Sequence, residues 1–168
     1  NPGCGVGGHC IAVDPWFIVS QDPKNSNLIR TAREVNNKKS EWIISNILEK
    51  SSQFREEFNL EPAIGILGLT FKPNVEDIRE SPALKIYKEC LKKGINLFAC
   101  EPNLRFIENI KLYPIEEILD KCDLIFALVD HDEFRNIIGS IINSCYDDGE
   151  SINNTASHIM EFIREIQL

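Results

Sequence analysis

Ala63-Ile64-Gly65-Ile66-Leu67-Gly68-Leu69 is an unbroken apolar run, entered from Pro62 and left through Thr70-Phe71-Lys72. A strand with one wet face alternates apolar and polar residues, whereas a continuous run belongs to a strand covered on both faces, as in a parallel sheet. Ile95 to Cys100 reads as the next strand, and Asp123-Leu124-Ile125-Phe126-Ala127-Leu128-Val129 as a third buried one. Between them the period becomes helical. Ser81-Pro82 opens a helix, with Ser81 as cap and Pro82 at the first helical position, where a missing N–H is harmless. Ala83, Leu84, Ile86, Tyr87, Cys90 and Leu91 supply its inner face, and Gly94 stops it. Pro114 to Lys121 and Asp132 to Ile138 read as short helices, Ile141 to Tyr146 as a fourth strand, and Thr155 to Gln167 as a helical tail.

Upstream, Leu28, Ile29, Ala32, Val35, Trp42, Ile43, Ile47 and Leu48 recur at helical spacing with Arg30, Arg33, Lys38 and Lys39 between them. They predict a long helix from about Ser26 to Phe58, capped by Ser26 or Asn25. Its broad apolar stripe is expected to serve both its own domain and a subunit interface. Asn1 to Asp22 is loop-rich, and Trp16-Phe17-Ile18-Val19 is read as a patch anchoring that loop. The expected fold class is α/β: a long central helix followed by a Rossmann-like parallel sheet domain, divided as residues 1–60 and 61–168.

The 168 residues are 43% hydrophobic with a net charge of −8, enough apolar surface for a core. An acidic chain is a poor partner for nucleic acid, whose phosphates demand a positive surface. No apolar run reaches bilayer length and no charged-then-apolar leader is present, so the expectation is a cytoplasmic protein without a membrane partner. The six scattered cysteines fit reduced thiols better than a disulfide framework. Cys4, His9 and Cys10 are a poor metal set, because adjacent His9 and Cys10 strain to reach one ion and no second ligand pair follows. No metal is expected.

Parallel sheets bind ligands at the carboxyl ends of their strands, where the strand order reverses. That rule points to Thr70-Phe71-Lys72, Glu101-Pro102-Asn103 and Asp130-His131-Asp132. Gly65-Ile66-Leu67-Gly68 lacks the third glycine of a dinucleotide fingerprint. Lys72 and Arg79 converge on the Ser81 helix start as an anion pocket, or pair on the surface with Glu76 and Asp77; both readings stay open. Gly5-Val6-Gly7-Gly8-His9-Cys10 presents a thiol at the edge of a glycine loop, the setting of a displayed nucleophile. His131 and His158 carry no motif and are read as ordinary surface or core residues.

Gly5 through Asp14-Pro15-Trp16-Phe17, Arg33-Glu34-Val35-Asn36, and Gly68-Leu69-Thr70-Phe71-Lys72-Pro73-Asn74 through Asp77-Ile78-Arg79-Glu80-Ser81-Pro82 together resemble the UDP-glucose/UDP-N-acetylmannosamine dehydrogenase family. His9-Cys10 and Val13-Asp14 are most similar to its UDP-N-acetyl-D-mannosamine 6-dehydrogenase branch. The resemblance implies an NAD-dependent enzyme that oxidises the C6 alcohol of a UDP-sugar to a carboxylate, for surface polysaccharide biosynthesis. It implies Cys10 as the nucleophile and Asp14 as the residue that positions water. Gly5, Gly7, Gly8, Phe71 and Lys72 would bind the substrate, and Arg79 the cofactor or its phosphates. The long helix would form a homodimer, and the sheet domain would bind UDP. The nicotinamide-binding domain of that family lies outside these residues, so the chain alone is expected to be inactive. Asp147-Asp148-Gly149-Glu150 departs from the resemblance, with an acid where a basic residue is usual. UDP-glucose as substrate, and a non-catalytic nucleotide-binding and dimerisation module, remain the alternatives.

Overall fold

The computed structural model describes residues 3–137. The chain runs α1 (Asp14–Gln21), α2 (Asn27–Phe58), β1 (Ile64–Leu67), α3 (Pro82–Lys92), β2 (Leu97–Cys100), α4 (Ile115–Lys121) and β3 (Leu124–Ala127). Residues 132–137 are also helical. The three strands pair in the order β2-β1-β3, both ladders parallel, with Ile64 beside Leu97 and Leu124. The α/β class with a long helix ahead of a parallel sheet is therefore as expected. Strand order reverses at β1, so a crevice opens between the carboxyl ends of β1 and β3, where such folds place ligands.

Alternate residues of β1 face opposite layers, which is why the run had to be apolar throughout. On one side Ile64, Ile66, Ala99, Leu124 and Phe126 pack with Ala83, Ile86 and Cys90 of α3 and with Ile43, Ile44 and Ile47 of α2. On the other, Leu67, Cys100 and Ile125 pack with Ile115 and Ile118 of α4 and with Phe134. Gly65 faces this second layer. A Cβ there would lie 2.5 Å from Ile118 Cγ2, so glycine lets α4 settle on the sheet.

Ser81 performs the predicted cap and more. Its Oγ accepts from the Leu84 N–H at 3.2 Å and donates to the Leu69 carbonyl at 2.7 Å, tying the start of α3 to the exit of β1. Ser81→Ala loses the cap and leaves a buried carbonyl unpaired. The expected destabilisation is about 2 kcal/mol, read as a lower midpoint in urea unfolding. A change below about 0.5 kcal/mol would contradict this role.

Three local readings need correction. Ser26 holds the N-cap position of α2 but makes no cap bond; its Oγ donates to the Asp22 carbonyl at 2.6 Å. The Trp16–Val19 patch lies within a helix, α1, in which Val19 is buried while Phe17 and Ile18 face outward. Leu91 of α3 is exposed rather than on the inner face. Leu28, Val35 and Trp42 of α2 are also exposed, and the stripe that meets the sheet domain is Ile43, Ile44 and Ile47. No helix among the described residues is long and apolar enough to cross a membrane. The expected strand over 141–146, the helix over 155–167, and residues Ile138, Cys145, Asp147 to Glu150 and His158 lie outside the described residues.

Candidate active site

The glycine loop has no regular structure of its own and is held by α2. The Val6 N–H donates to Asn36 Oδ1 at 2.7 Å, while Asn36 Nδ2 and Arg33 Nη1 donate to the Val6 carbonyl at 3.2 and 3.3 Å. Ser40 Oγ donates to the Cys4 carbonyl at 3.1 Å. The opposite side of the loop lies against the segment leading into α3. A Cβ on Gly7 would stand 2.3 Å from the Glu80 carbonyl oxygen, and one on Gly8 would stand 3.0 Å from the Phe71 ring. Gly8 also has φ +94°, which favours glycine. Gly7 lets backbone approach backbone and Gly8 lets it approach the Phe71 ring, fastening the loop between α2 and the sheet domain.

Cys10 ends the loop. Its carbonyl accepts from the N–H groups of Val13 (3.0 Å) and Asp14 (2.8 Å), a turn that leads into α1. Of the five described cysteines, all free thiols, Cys10 alone is exposed. Burial pushes Cys4 and Cys90 up to about 11 and Cys100 and Cys122 up to about 12, so these four stay protonated and unreactive near neutral pH. The Arg79 guanidinium is held above its ordinary value chiefly by its hydrogen bonds and charge interaction with Asp77, with Cys10 a minor contributor. Arg79 Nε and Nη2 donate to the Asp77 carboxylate at 3.0 and 2.6 Å. Those bonds hold Asp77 down at about 2, and His9 Nδ1 approaches the same carboxylate at 3.9 Å. Asp14, exposed at the first position of α1, has its carboxylate where the helix N-terminus favours negative charge.

A cleft of about 760 Å³ opens at the crevice between β1 and β3. Gly5, Gly7, Ile11, Phe71 and Lys72 line it, with Val129, Asp130 and Arg135 from the far side. The structure thus brings together Gly5, Gly7, Phe71 and Lys72. Gly8 sits against the Phe71 ring, and Cys10 lies next to the lining residue Ile11. Arg79 and Asp14 are not among the lining residues. Lys72 and Arg79 do not form one anion pocket: Arg79 is paired with Asp77, while the Lys72 ammonium lies 5.5 Å from the Phe71 ring centroid. The surface-pairing alternative holds for Arg79.

The three strand-end segments do converge, through a buried network. The Leu69 and Thr70 N–H groups donate to Glu101 Oε2 at 2.7 and 3.1 Å, and the Asn103 N–H donates to Oε1 at 3.0 Å. The fully buried His131 places Nε2 3.2 Å from Glu101 Oε2 and 3.3 Å from Thr70 Oγ1. Its Nδ1 accepts the Asn74 N–H at 3.0 Å and has Asn103 Nδ2 at 2.8 Å. Because a backbone N–H points at Nδ1, the neutral ring carries its proton on Nε2 and donates it towards Glu101. His131 is thus a core residue with a defined tautomer. The sequence rule located its segment but not this function for the side chain.

Burial pushes the Glu101 carboxyl up, but hydrogen bonds from His131, Leu69 and Asn103 together outweigh it and hold the group below its ordinary 4.5. A carboxyl lowered by folding stabilises the fold above its unfolded value and loses that contribution as pH falls through its folded value. The stability gap between the parent chain and Glu101→Gln is therefore expected to be largest near neutrality and to shrink below about pH 4. Urea midpoints across a pH series check this; a gap that widens in acid contradicts it.

The UDP binding domain of the UDP-glucose/GDP-mannose dehydrogenase family matches residues 65–152, and the central domain of that family matches residues 1–38. A UDP-N-acetyl-D-mannosamine dehydrogenase of Campylobacter jejuni is 45% identical over 82% of this chain and 34% of its own length. An NDP-N-acetyl-D-galactosaminuronic acid dehydrogenase of Ralstonia solanacearum is 40% identical over 82% of this chain and 32% of its own. Among solved structures, the UDP-N-acetyl-mannosamine dehydrogenase of Staphylococcus aureus superposes with a TM-score of 0.65 at 36% identity, covering 83% of this chain and 32% of that one. The UDP-D-ManNAc dehydrogenase of Pyrococcus horikoshii gives a TM-score of 0.67 at 30% identity, with 86% and 34% covered. The chain spans about a third of the length of these relatives. With both domain matches in chain order, and a switch-point cleft beside the glycine loop, the chain belongs to the UDP-glucose/GDP-mannose dehydrogenase family.

Proposed function

We propose that this chain is the carboxy-terminal part of an NAD-dependent UDP-N-acetyl-D-mannosamine 6-dehydrogenase that serves surface polysaccharide biosynthesis in the cytoplasm. The observation that carries the reading is an exposed thiol, Cys10, on a glycine loop fastened to the rim of the switch-point cleft. The names of the relatives support UDP-N-acetylmannosamine as the sugar. Residues 1–60 would supply the thiol loop and dimerising helix, and residues 61–168 the UDP-sugar domain. The outward face of α2, with Leu28, Val35 and Trp42 seven residues apart, supports the helix as a homodimer contact.

In this reading Phe71 and Lys72 hold the nucleotide end of the substrate, Lys72 offering a cation to a phosphate. The glycine loop passes close enough to fold around the sugar. The C6 alcohol first gives up its O–H proton and a hydride to become the aldehyde; Cys10 Sγ, as thiolate, then adds to that carbonyl and forms the thiohemiacetal as its alkoxide. Loss of hydride from C6 leaves a thioester, and water positioned by Asp14 attacks its carbonyl, releasing the carboxylate and returning the thiol. NAD, when bound, accepts the two hydrides. The fit of this chain to that cofactor rests on Arg79, whose side chain is 63% exposed and whose guanidinium gives only its Nε and Nη2 edge to Asp77. Its remaining edge can face a phosphate.

The test is NADH formation by the chain alone and by the chain joined to a preceding nicotinamide-binding region. UDP-N-acetylmannosamine and UDP-glucose are compared. The expected result is no turnover by the chain alone and turnover by the longer protein, with kcat/KM favouring the N-acetylated sugar. A preference for UDP-glucose would assign the other branch. No turnover with either sugar, together with slow Cys10 alkylation, would favour a nucleotide-binding module.

A further inference from the structure

Residues 70–74, which carry Phe71 and Lys72 into the cleft, form neither helix nor strand. A cationic side chain on such a loop binds well only if the backbone beneath it is already fixed, since ordering it on binding would weaken affinity. The buried pair below supplies that fixing. We infer that Glu101 and His131 are positioning residues for the substrate, acting through the 70–74 loop rather than by touching the ligand.

Both ends of the loop are tied to this pair. At the entry, the Leu69 and Thr70 N–H groups end on Glu101 Oε2. At the exit, the Asn74 N–H ends on His131 Nδ1. In the middle, Thr70 Oγ1 donates to the Lys72 carbonyl at 3.0 Å and can accept the His131 Nε2 proton. That bond sets the backbone of the residue whose ammonium lines the cleft. Asn74 adds a clasp across the crevice: its Nδ2 donates to Asp132 Oδ2 at 2.8 Å, and its Oδ1 accepts the Asp132 N–H at 3.1 Å. The loop is thereby registered against the ends of both other strands.

A packing role alone does not call for this chemistry. A carboxylate and an imidazole withdrawn from water are expensive, and an apolar pair of similar volume would fill the space without that penalty. An apolar pair could not, however, receive the three backbone N–H groups from residues 69, 70 and 74. Hydrogen-bond acceptors are needed here because the loop has no ladder of its own.

This inference rests on the cleft binding a UDP-sugar, so its test separates the two claims. UDP binding and steady-state kinetics are measured on the longer, active protein and on Glu101→Leu, Glu101→Gln, His131→Leu, His131→Asn and Asn74→Gly. Glu101→Leu and His131→Leu are expected to raise the UDP dissociation constant and the sugar KM about tenfold, with kcat changed less than twofold. His131→Asn restores an acceptor near the Nδ1 position and is expected to recover part of the loss. If the leucine variants do not fold, Glu101→Gln decides: its amide offers an acceptor at only one of the two oxygen positions that receive backbone N–H groups, so KM is expected to rise with kcat kept, and parent-like KM overturns the role. Asn74→Gly tests the clasp separately. Asn74 is exposed at φ +58°, a conformation glycine tolerates, so this change removes the clasp and loosens the backbone there while keeping the N–H that His131 accepts. It is expected to raise KM about threefold with kcat unchanged. Parent-like KM in folded variants, with the parent binding UDP, overturns the positioning role alone. A parent that binds neither UDP nor the sugar nucleotide overturns the functional reading, and the inference with it.

Discussion

Cys10→Ser in the longer, active protein is expected to reduce carboxylate formation by on the order of a thousandfold or more. Serine keeps the shape and hydrogen-bonding ability of the side chain but is not ionised near neutral pH. It adds poorly to an aldehyde and would leave an oxygen ester in place of a labile thioester. The change sits on the surface, so unfolding midpoints should move by less than about 0.5 kcal/mol. The paired result is what matters: activity lost, stability kept. Product analysis on the variant should show no uronic acid above background. Uronic acid formed at the parent rate would remove Cys10 from the mechanism.

Gly7→Ala is expected to have the second-largest effect, on stability and activity together. The new Cβ would stand 2.3 Å from the Glu80 carbonyl oxygen and 2.6 Å from Pro82 Cδ. Neither obstacle yields easily. Glu80 is already at φ +50°, and Pro82 is locked as the start of α3 by the Ser81 cap. The loop must therefore lift off the sheet domain, straining the bonds from Asn36, Arg33 and Ser40 behind it. An overpacked contact of this kind costs about 1–3 kcal/mol, visible in urea unfolding. Displacing the thiol by about an ångström is worth roughly a hundredfold in kcat. Parent-like kcat and stability would mean that the loop is not fastened as described.

What could be read from the residues divides along physical lines. The β1 run was legible because burial on both faces leaves an unbroken apolar string, and the limits of α3 because Ser81, Pro82 and Gly94 act locally. The α1 helix was obscured by Pro15 and Pro23, punctuation that here initiates and follows a helix instead of breaking one. Along α2 two apolar stripes overlap. Periodicity finds both but cannot tell that Ile43, Ile44 and Ile47 meet the sheet domain while Leu28, Val35 and Trp42 face away. Cys10 stood out through its glycine context, and the carboxyl-end rule located the cleft. The Arg79 neighbourhood of Cys10 and the Glu101–His131 pair were not visible, because each joins residues far apart in the chain. A buried polar network leaves no local pattern. Its trace in the sequence is a polar residue just past the end of an apolar strand.

The central claim is that the sugar passes through a covalent bond to Cys10. The most direct measurement is acid-quenched peptide mass mapping of the longer protein during turnover with NAD and the UDP-sugar, or its C6 aldehyde. The account predicts an acyl adduct on the peptide containing Cys10, sensitive to hydroxylamine and missing in Cys10→Ser. Steady turnover with that thiol unmodified under conditions that trap thioesters, or an adduct on another residue, would contradict it.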